Sequence, residues 1–159
     1  MTNPAVIDDF RGNYFFLSNF YPSPITATFY ETDYLFATGE HLFQGAKVFS
    51  SGWTLKEKQT WLQSLTTDPN PSKAKYHGRS ILLDVRRWNA MSLNVMKRTQ
   101  QLKYEQNPEL QRQLLDTKDA VLIEGNTWGD KLWGQVNGEG QNLLGKILMD
   151  LRTSLRYAS

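Results

Sequence analysis

Helix-start signals recur along this chain, and they commit most of it to helices. Thr54-x-x-Glu57 is a capping box, in which the threonine hydroxyl accepts from the Glu57 backbone N–H and opens a helix to about Ser64. Asn70-Pro71 and Asn107-Pro108 each set a cap residue before a proline at the first helical position, where the missing N–H is not needed. Gly78 is the expected stop of the helix that Asn70 opens. A long helix is predicted from Asp84 to Tyr104, with Val85, Trp88, Val95 and Leu102 among its apolar positions. Leu110, Leu114 and Leu115 mark the helix after Asn107-Pro108. The last helix carries Leu144, Leu148, Leu151 and Leu155 at i, i+4, i+7 and i+11, a single face for docking on a core.

Ahead of these helices, residues 5–36 read as strands and turns. Phe10 and Tyr14 to Leu17 are β-favouring around a turn at Gly12-Asn13. Residues 25–36 form a hairpin with Glu31-Thr32-Asp33 near its turn. The loop Ser18-Asn19-Phe20-Tyr21-Pro22-Ser23-Pro24 has two prolines, which regular elements tolerate poorly. Val121 to Glu124 is a short strand or extended run, and 125–142 is too long and too rich in glycine for a plain connector. At 159 residues the chain is sized for one domain, 1–159. The expected fold class is α+β: a single helix-rich domain with a small N-terminal β region.

Within that frame, residues 38–49 stand out. Thr38 caps a helix whose Leu42, Ala46 and Phe49 face one way, while Glu40, Gln44 and Lys47 form a polar stripe at i, i+4 and i+7. Glu40 and Lys47 are then about 10 Å apart along the axis, which leaves room for a small ligand. The stripe is either such a site or a solvated face with a Glu–Gln–Lys ladder. Charge adds a second asymmetry. From Lys73 to Lys103 eight basic residues face only Asp84, so this stretch carries +7 within a chain of net +2. It suits a phosphate or a nucleic-acid backbone, or it is a solvated helix surface. With no cysteine, disulfides and thiolate catalysis are excluded. No apolar run nears 18 residues and no leader pattern opens the chain, so a soluble, cytoplasmic protein is expected.

Familiar motifs fail on spacing. Gly45-Ala46-Lys47 after Gly39 lacks the Lys and Ser/Thr positions of a phosphate loop, and Gly138-x-Gly140 followed by Gly145 misses the dinucleotide fingerprint. His41 and His77 have no paired spacing for zinc. What does match is dispersed: Leu17-Ser18-Asn19-Phe20, Glu40-His41-Leu42-Phe43-Gln44-x-x-Lys47, Gly78-Arg79, Trp88, Val95-Met96, and Lys103 with Asn107. It continues through Leu114-Leu115-x-Thr117, Ile123-Glu124, Asp130-x-x-Trp133-Gly134 and Gly138-x-Gly140-x-Asn142-x-Leu144-Gly145-x-x-Leu148-Met149-x-x-Arg152. Taken together these residues resemble the YbiA-like NADAR superfamily.

The resemblance implies an N-glycosidase that hydrolyses the C1′–N bond of a phosphorylated, ribosylated heterocycle. Riboflavin-pathway ribosylaminopyrimidine intermediates are one branch of its substrates, with no metal and no cofactor. Two other readings stay open: a hydrolase that strips ADP-ribose from guanine in nucleic acid, and a non-catalytic ADP-ribose-binding module. By the same resemblance Glu40 is the general acid/base and Lys47 the amine of a Schiff-base scheme. In the alternative, Lys47 binds phosphate or hydroxyl and Glu40 activates water. Asp130 is assigned to ribose hydroxyls or the charge at C1′, and Trp133, with Gly134 beside it, to stacking on the heterocycle. Trp88 forms another wall and Arg79 and Arg87 meet phosphate. Asn19 and Phe20 complete the base pocket, and Gln44, on the polar stripe, is expected to bind substrate. Glu124 and Asn142 read as structural, bonding loop backbone and capping the last helix, and Arg152 as a solvated or helix-end charge.

Overall fold

A computed structural model describes residues 3–81 and 83–158; the outermost positions of the expected 1–159 domain lie outside them. The structure is α+β, and the chain forms two compact units. One is contiguous, Asn19–Gln106; the other joins the N-terminal stretch ending at Ser18 to the C-terminal stretch starting at Asn107.

In the contiguous unit, β2 (Pro22–Phe29) and β3 (Thr32–Thr38) form an antiparallel hairpin with Phe29 opposite Thr32. The two-residue turn is therefore Tyr30-Glu31, one step before the expected Glu31-Thr32-Asp33. Both of its residues have left-handed backbone (φ 52° and 67°), the conformation a tight hairpin needs. Contrary to expectation, β2 runs through Pro22 and Pro24. A two-stranded sheet asks for ladder bonds on one side of each strand only, and an irregularity between Pro22 and Ile25 absorbs the rest.

Thr38 ends β3 and caps α1 (Gly39–Gly45), accepting from the His41 N–H at 3.2 Å as its sequence predicts. The chain then tightens into a 3₁₀ turn, Ala46–Ser50. Next come α2 (Leu55–Leu65), opened by the Thr54/Glu57 box, α3 (Pro71–Gly78), opened by Asn70, and α4 (Val85–Gln106), with the Asp84 carboxylate accepting from the Arg87 N–H at 3.1 Å. Ile25, Phe29, Phe36, Leu42, Val48, Leu62 and Leu65 pack into one core. Fully buried, Phe36 and Leu62 contribute about 2–3 kcal/mol each. Phe49 stacks on Phe29 yet stays 37% exposed, and Val85 is 62% exposed at the N-terminal end of α4. Neither is the core residue its periodicity suggested.

In the other unit, β1 (Val6–Ile7) pairs in parallel with β4 (Val121–Leu122), and α6 (Leu143–Ala158) packs on β4 and on α5 (Pro108–Asp116). Residues 12–17, expected as a turn and strand, form a 3₁₀ helix (Gly12–Leu17) entered through Gly12 at φ +55°. Arg152 is not a solvated charge. It is buried, and its Nη1 donates to Thr117 Oγ1 and to the Ala120 carbonyl, both at 2.9 Å. Asn142 plays its expected structural part, accepting from the Glu124 N–H and donating to the Leu122 carbonyl.

Candidate active site

All seven residues of α1 are buried, so the polar stripe is not a solvated ladder. The backbone N–H of Glu40 is held by the Asn19 carbonyl at 3.0 Å, and His41 is tied by both ring nitrogens, to Thr38 Oγ1 and the Asp68 carbonyl. Glu40, in the first turn, sits at the positive end of the helix dipole. Gln44, one turn on, donates from Nε2 to Glu40 Oε1 at 2.8 Å. Lys47, in the 3₁₀ turn, is half-buried and donates from Nζ to the Gly78 carbonyl at 3.1 Å. Among the described residues no ion pair joins Glu40 to Lys47.

This arrangement drives both groups toward their neutral forms. Burial pushes the Glu40 carboxyl above its ordinary range, against the Gln44 hydrogen bond, the charges of Lys75 and Lys47, and a further hydrogen bond from Asn19. Burial also brings the Lys47 ammonium below its ordinary range; Glu40 opposes this, and the Arg79 charge adds to it. A neutral carboxylic acid donates a proton and a neutral amine attacks carbon.

Other expected residues belong to the same unit. The Trp88 ring centroid lies 5.8 Å from Lys47 Nζ and makes an edge contact with Phe43 at 5.3 Å. Arg79 follows the last residue of α3 and is exposed, as is Arg87 on α4. Asn19 is buried: its Oδ1 accepts from Gln100 Nε2 at 2.6 Å and its Nδ2 points to Met96 Sδ. Phe20 is half-buried, with the Lys75 ammonium 5.8 Å from its ring. Lys75 was not singled out in the sequence. Its signal was there, since it stands one helical turn before Arg79, but only the tertiary fold shows it acting on Glu40.

Asp130, Trp133 and Gly134 belong to the other unit, in the 125–142 loop. Asp130 Oδ1 accepts from the backbone N–H groups of Leu132 (3.0 Å) and Trp133 (2.9 Å), an Asx-type turn that shapes the loop. A Cβ on Gly134 would meet the Glu124 carbonyl at 2.1 Å, so this glycine answers a close backbone approach. Among the described residues no group of three or more His, Cys, Asp or Glu side chains gathers to hold a metal ion. A separate cleft of about 420 Å³, walled by Trp53, Trp61, Lys73 and His77, includes neither Glu40 nor Lys47.

Residues 8–156 match the sequence model of the NADAR domain. The chain is 36% identical over 120 residues to N-glycosidase YbiA of Shigella boydii, covering 74% of this chain and 69% of that protein. It is 31% identical over 148 residues to the chloroplastic riboflavin biosynthesis protein PYRR of Zea mays, covering 87% of this chain and 23% of that one. The fold is similar to the NMR structure of the Escherichia coli protein YbiA, with a TM-score of 0.75 and 31% identity over 97% of this chain and 87% of the other.

Proposed function

The chain belongs to the NADAR domain family and is an N-glycosyl hydrolase, and we propose that its substrate is a phosphorylated, ribosylated heterocycle whose C1′–N bond it breaks. A ribosylaminopyrimidine of the riboflavin pathway fits this class, and the likeness to a riboflavin biosynthesis protein supports it.

The observation that carries the reading is the placement of Lys47. Its Nζ donates to the Gly78 carbonyl, is not ion-paired with Glu40, and is held below its usual basicity by burial and by Arg79. Had Glu40 paired closely with it, the amine would have been kept protonated and unreactive. In the proposed sequence the neutral Lys47 amine attacks C1′. The electron pair of the C1′–N bond passes to the departing nitrogen, which takes the Glu40 proton. The ammonium adduct at C1′ gives its proton to O4′ as the C1′–O4′ bond breaks and an imine forms. Water then adds to C1′, its other proton returns to Glu40, and expulsion of the amine frees the sugar and Lys47. In this reading the exposed Arg79 and Arg87 meet the substrate's phosphate, and Trp88, beside Lys47, supplies an aromatic wall.

Purified protein is mixed with a phosphoribosylaminopyrimidine, and the released base is followed by mass spectrometry. Lys47→Ala and Glu40→Gln are run in parallel, and borohydride is added to trap an imine. Base release lost in both variants, with a reduced sugar adduct on Lys47, is the expected result. Base release that survives Lys47→Ala and leaves no adduct would transfer the attack to water activated by Glu40.

A second reading has its own support. Lys73, Arg79, Arg86, Arg87, Lys97 and Arg98 are all exposed, a cationic surface suited to ADP-ribosylated nucleic acid. Lys103, counted with them in the sequence, is not part of it, being fully buried. Release of base from a guanine-ADP-ribosylated oligonucleotide, with binding that weakens steeply as salt rises, is what this reading requires.

A further inference from the structure

We propose that Gln44 is a positioning residue that fixes which oxygen of Glu40 carries the acid proton, and that position 78 is glycine because the Gln44 amide fills the space a side chain would take. The proposal rests on the reading of Glu40 as general acid.

The geometry is specific. Gln44 is 4% exposed, and its Nε2 donates to Glu40 Oε1 at 2.8 Å. An amide N–H favours the carbonyl oxygen of a neutral carboxyl, the better acceptor, and so favours the hydroxyl proton on Oε2. The other end of the amide, Gln44 Oε1, is buried and accepts no hydrogen bond among the described residues. It lies 1.9 Å from where a Cβ on Gly78 would sit, so only a bare α-carbon leaves it room. Turning the amide over would bury two unmade N–H donors against Gly78 instead of one unmade acceptor, and would take the donor away from Glu40. Gly78 is the expected stop of α3, and it ends that helix without a positive φ. What it supplies is contact on two sides: its α-carbon packs on Gln44 and its carbonyl accepts from Lys47. One residue therefore holds the support of the acid and the amine in fixed relation.

The charged groups acting on Glu40 are Lys75 from α3 and Lys47 from the 3₁₀ turn, with Arg79 acting on Lys47. From α4 the uncharged Met96 and Gln100 reach Asn19, which hydrogen-bonds Glu40. Gln44 stands first among the influences that oppose burial at this carboxyl.

Gln44→Met keeps the length of the side chain and removes the donor. The Glu40 carboxyl is titrated by NMR in protein carrying carbon-13 at glutamate side-chain carboxyls, its signal identified by its loss in Glu40→Gln. The expected midpoint is higher than in the native protein both in Gln44→Met and in Gly78→Ala, where the amide is pushed off its bond. On substrate, kcat falls about 10²-fold while KM stays within about twofold, as misplacement of a reacting group predicts. An unmoved midpoint in both variants would overturn the proposal. So would a raised KM with kcat intact, which would make Gln44 a substrate contact. The titration needs no substrate. A shifted midpoint in a protein that cleaves no ribosyl substrate would thus remove the enzymatic reading and leave the Gln44–Glu40–Gly78 contact standing.

Discussion

Gly78→Ala has opposing effects whose sizes can be worked from the structure. Alanine at the end of a helix restricts the unfolded chain and by itself would stabilise by about 0.5–1 kcal/mol. Here its Cβ would stand 1.9 Å from Gln44 Oε1, 2.6 Å from Cδ and 3.3 Å from Cγ. Restoring ordinary contact moves the amide oxygen by about 1.5 Å, in a helix with every residue buried, and overpacking of that kind costs about 1–3 kcal/mol. The 2.8 Å bond to Glu40 is lost in the move, at about 1 kcal/mol more. The net is a destabilisation of about 2 kcal/mol, which for a chain of this size lowers Tm by about 4–8 °C. Thermal melts followed by circular dichroism measure it. Pairing it with Gln44→Ala sharpens the test, because the double variant has space for the new methyl and should melt no lower than Gln44→Ala alone. A Gly78→Ala protein that melts at or above the native temperature would refute the reasoning, since helix propensity would then be the only effect in play.

The charge state of the pair makes further predictions. The Glu40 carboxyl titrates higher folded than unfolded, so the native state binds the extra proton and stability falls as pH rises above the ordinary value of 4.5. Glu40→Gln should therefore melt higher than the native protein at neutral pH, with the gain fading below pH 4.5; melts across pH 3.5–8 check this. Lys75→Met removes a charge that favours the carboxylate, and the Glu40 midpoint measured by carbon-13 NMR should rise. Arg152→Met leaves the Ala120 carbonyl and the Thr117 hydroxyl without their buried donor, at about 2 kcal/mol by thermal melt. Arg156→Met, which loses an exposed pairing with Asp119, should cost under about 1 kcal/mol by comparison.

Where the fold could be read in the sequence, the information was local. Thr38, the Thr54/Glu57 pair and Asn70-Pro71 satisfy N–H groups two or three residues away, so four neighbouring letters decide the outcome. Placing Glu40 and Lys47 on one polar stripe drew on the same kind of information, together with family likeness. What escaped depends on residues far apart in the chain. Gly78 ends α3 where its sequence predicts, but its meeting with Gln44 is invisible without α1 packing on α3. Arg152 looked solvated because nothing near it in sequence announces the Ala120 carbonyl. Pro22 and Pro24 argued against a strand only so long as that strand was imagined with neighbours on both sides.

The parallel pairing of Val6 with Val121 bears on how the protein is made. At ribosomal speeds of about 5–20 residues per second, β1 is synthesised about 6–23 seconds before its partner strand. All of Asn19–Gln106, a compact unit by itself, is synthesised in that interval. Until then Val6, 48% exposed even in the finished fold, is an open strand edge. Aggregation or chaperone capture during synthesis should thus involve this strand, and slowing translation beyond Gln106 should aggravate both.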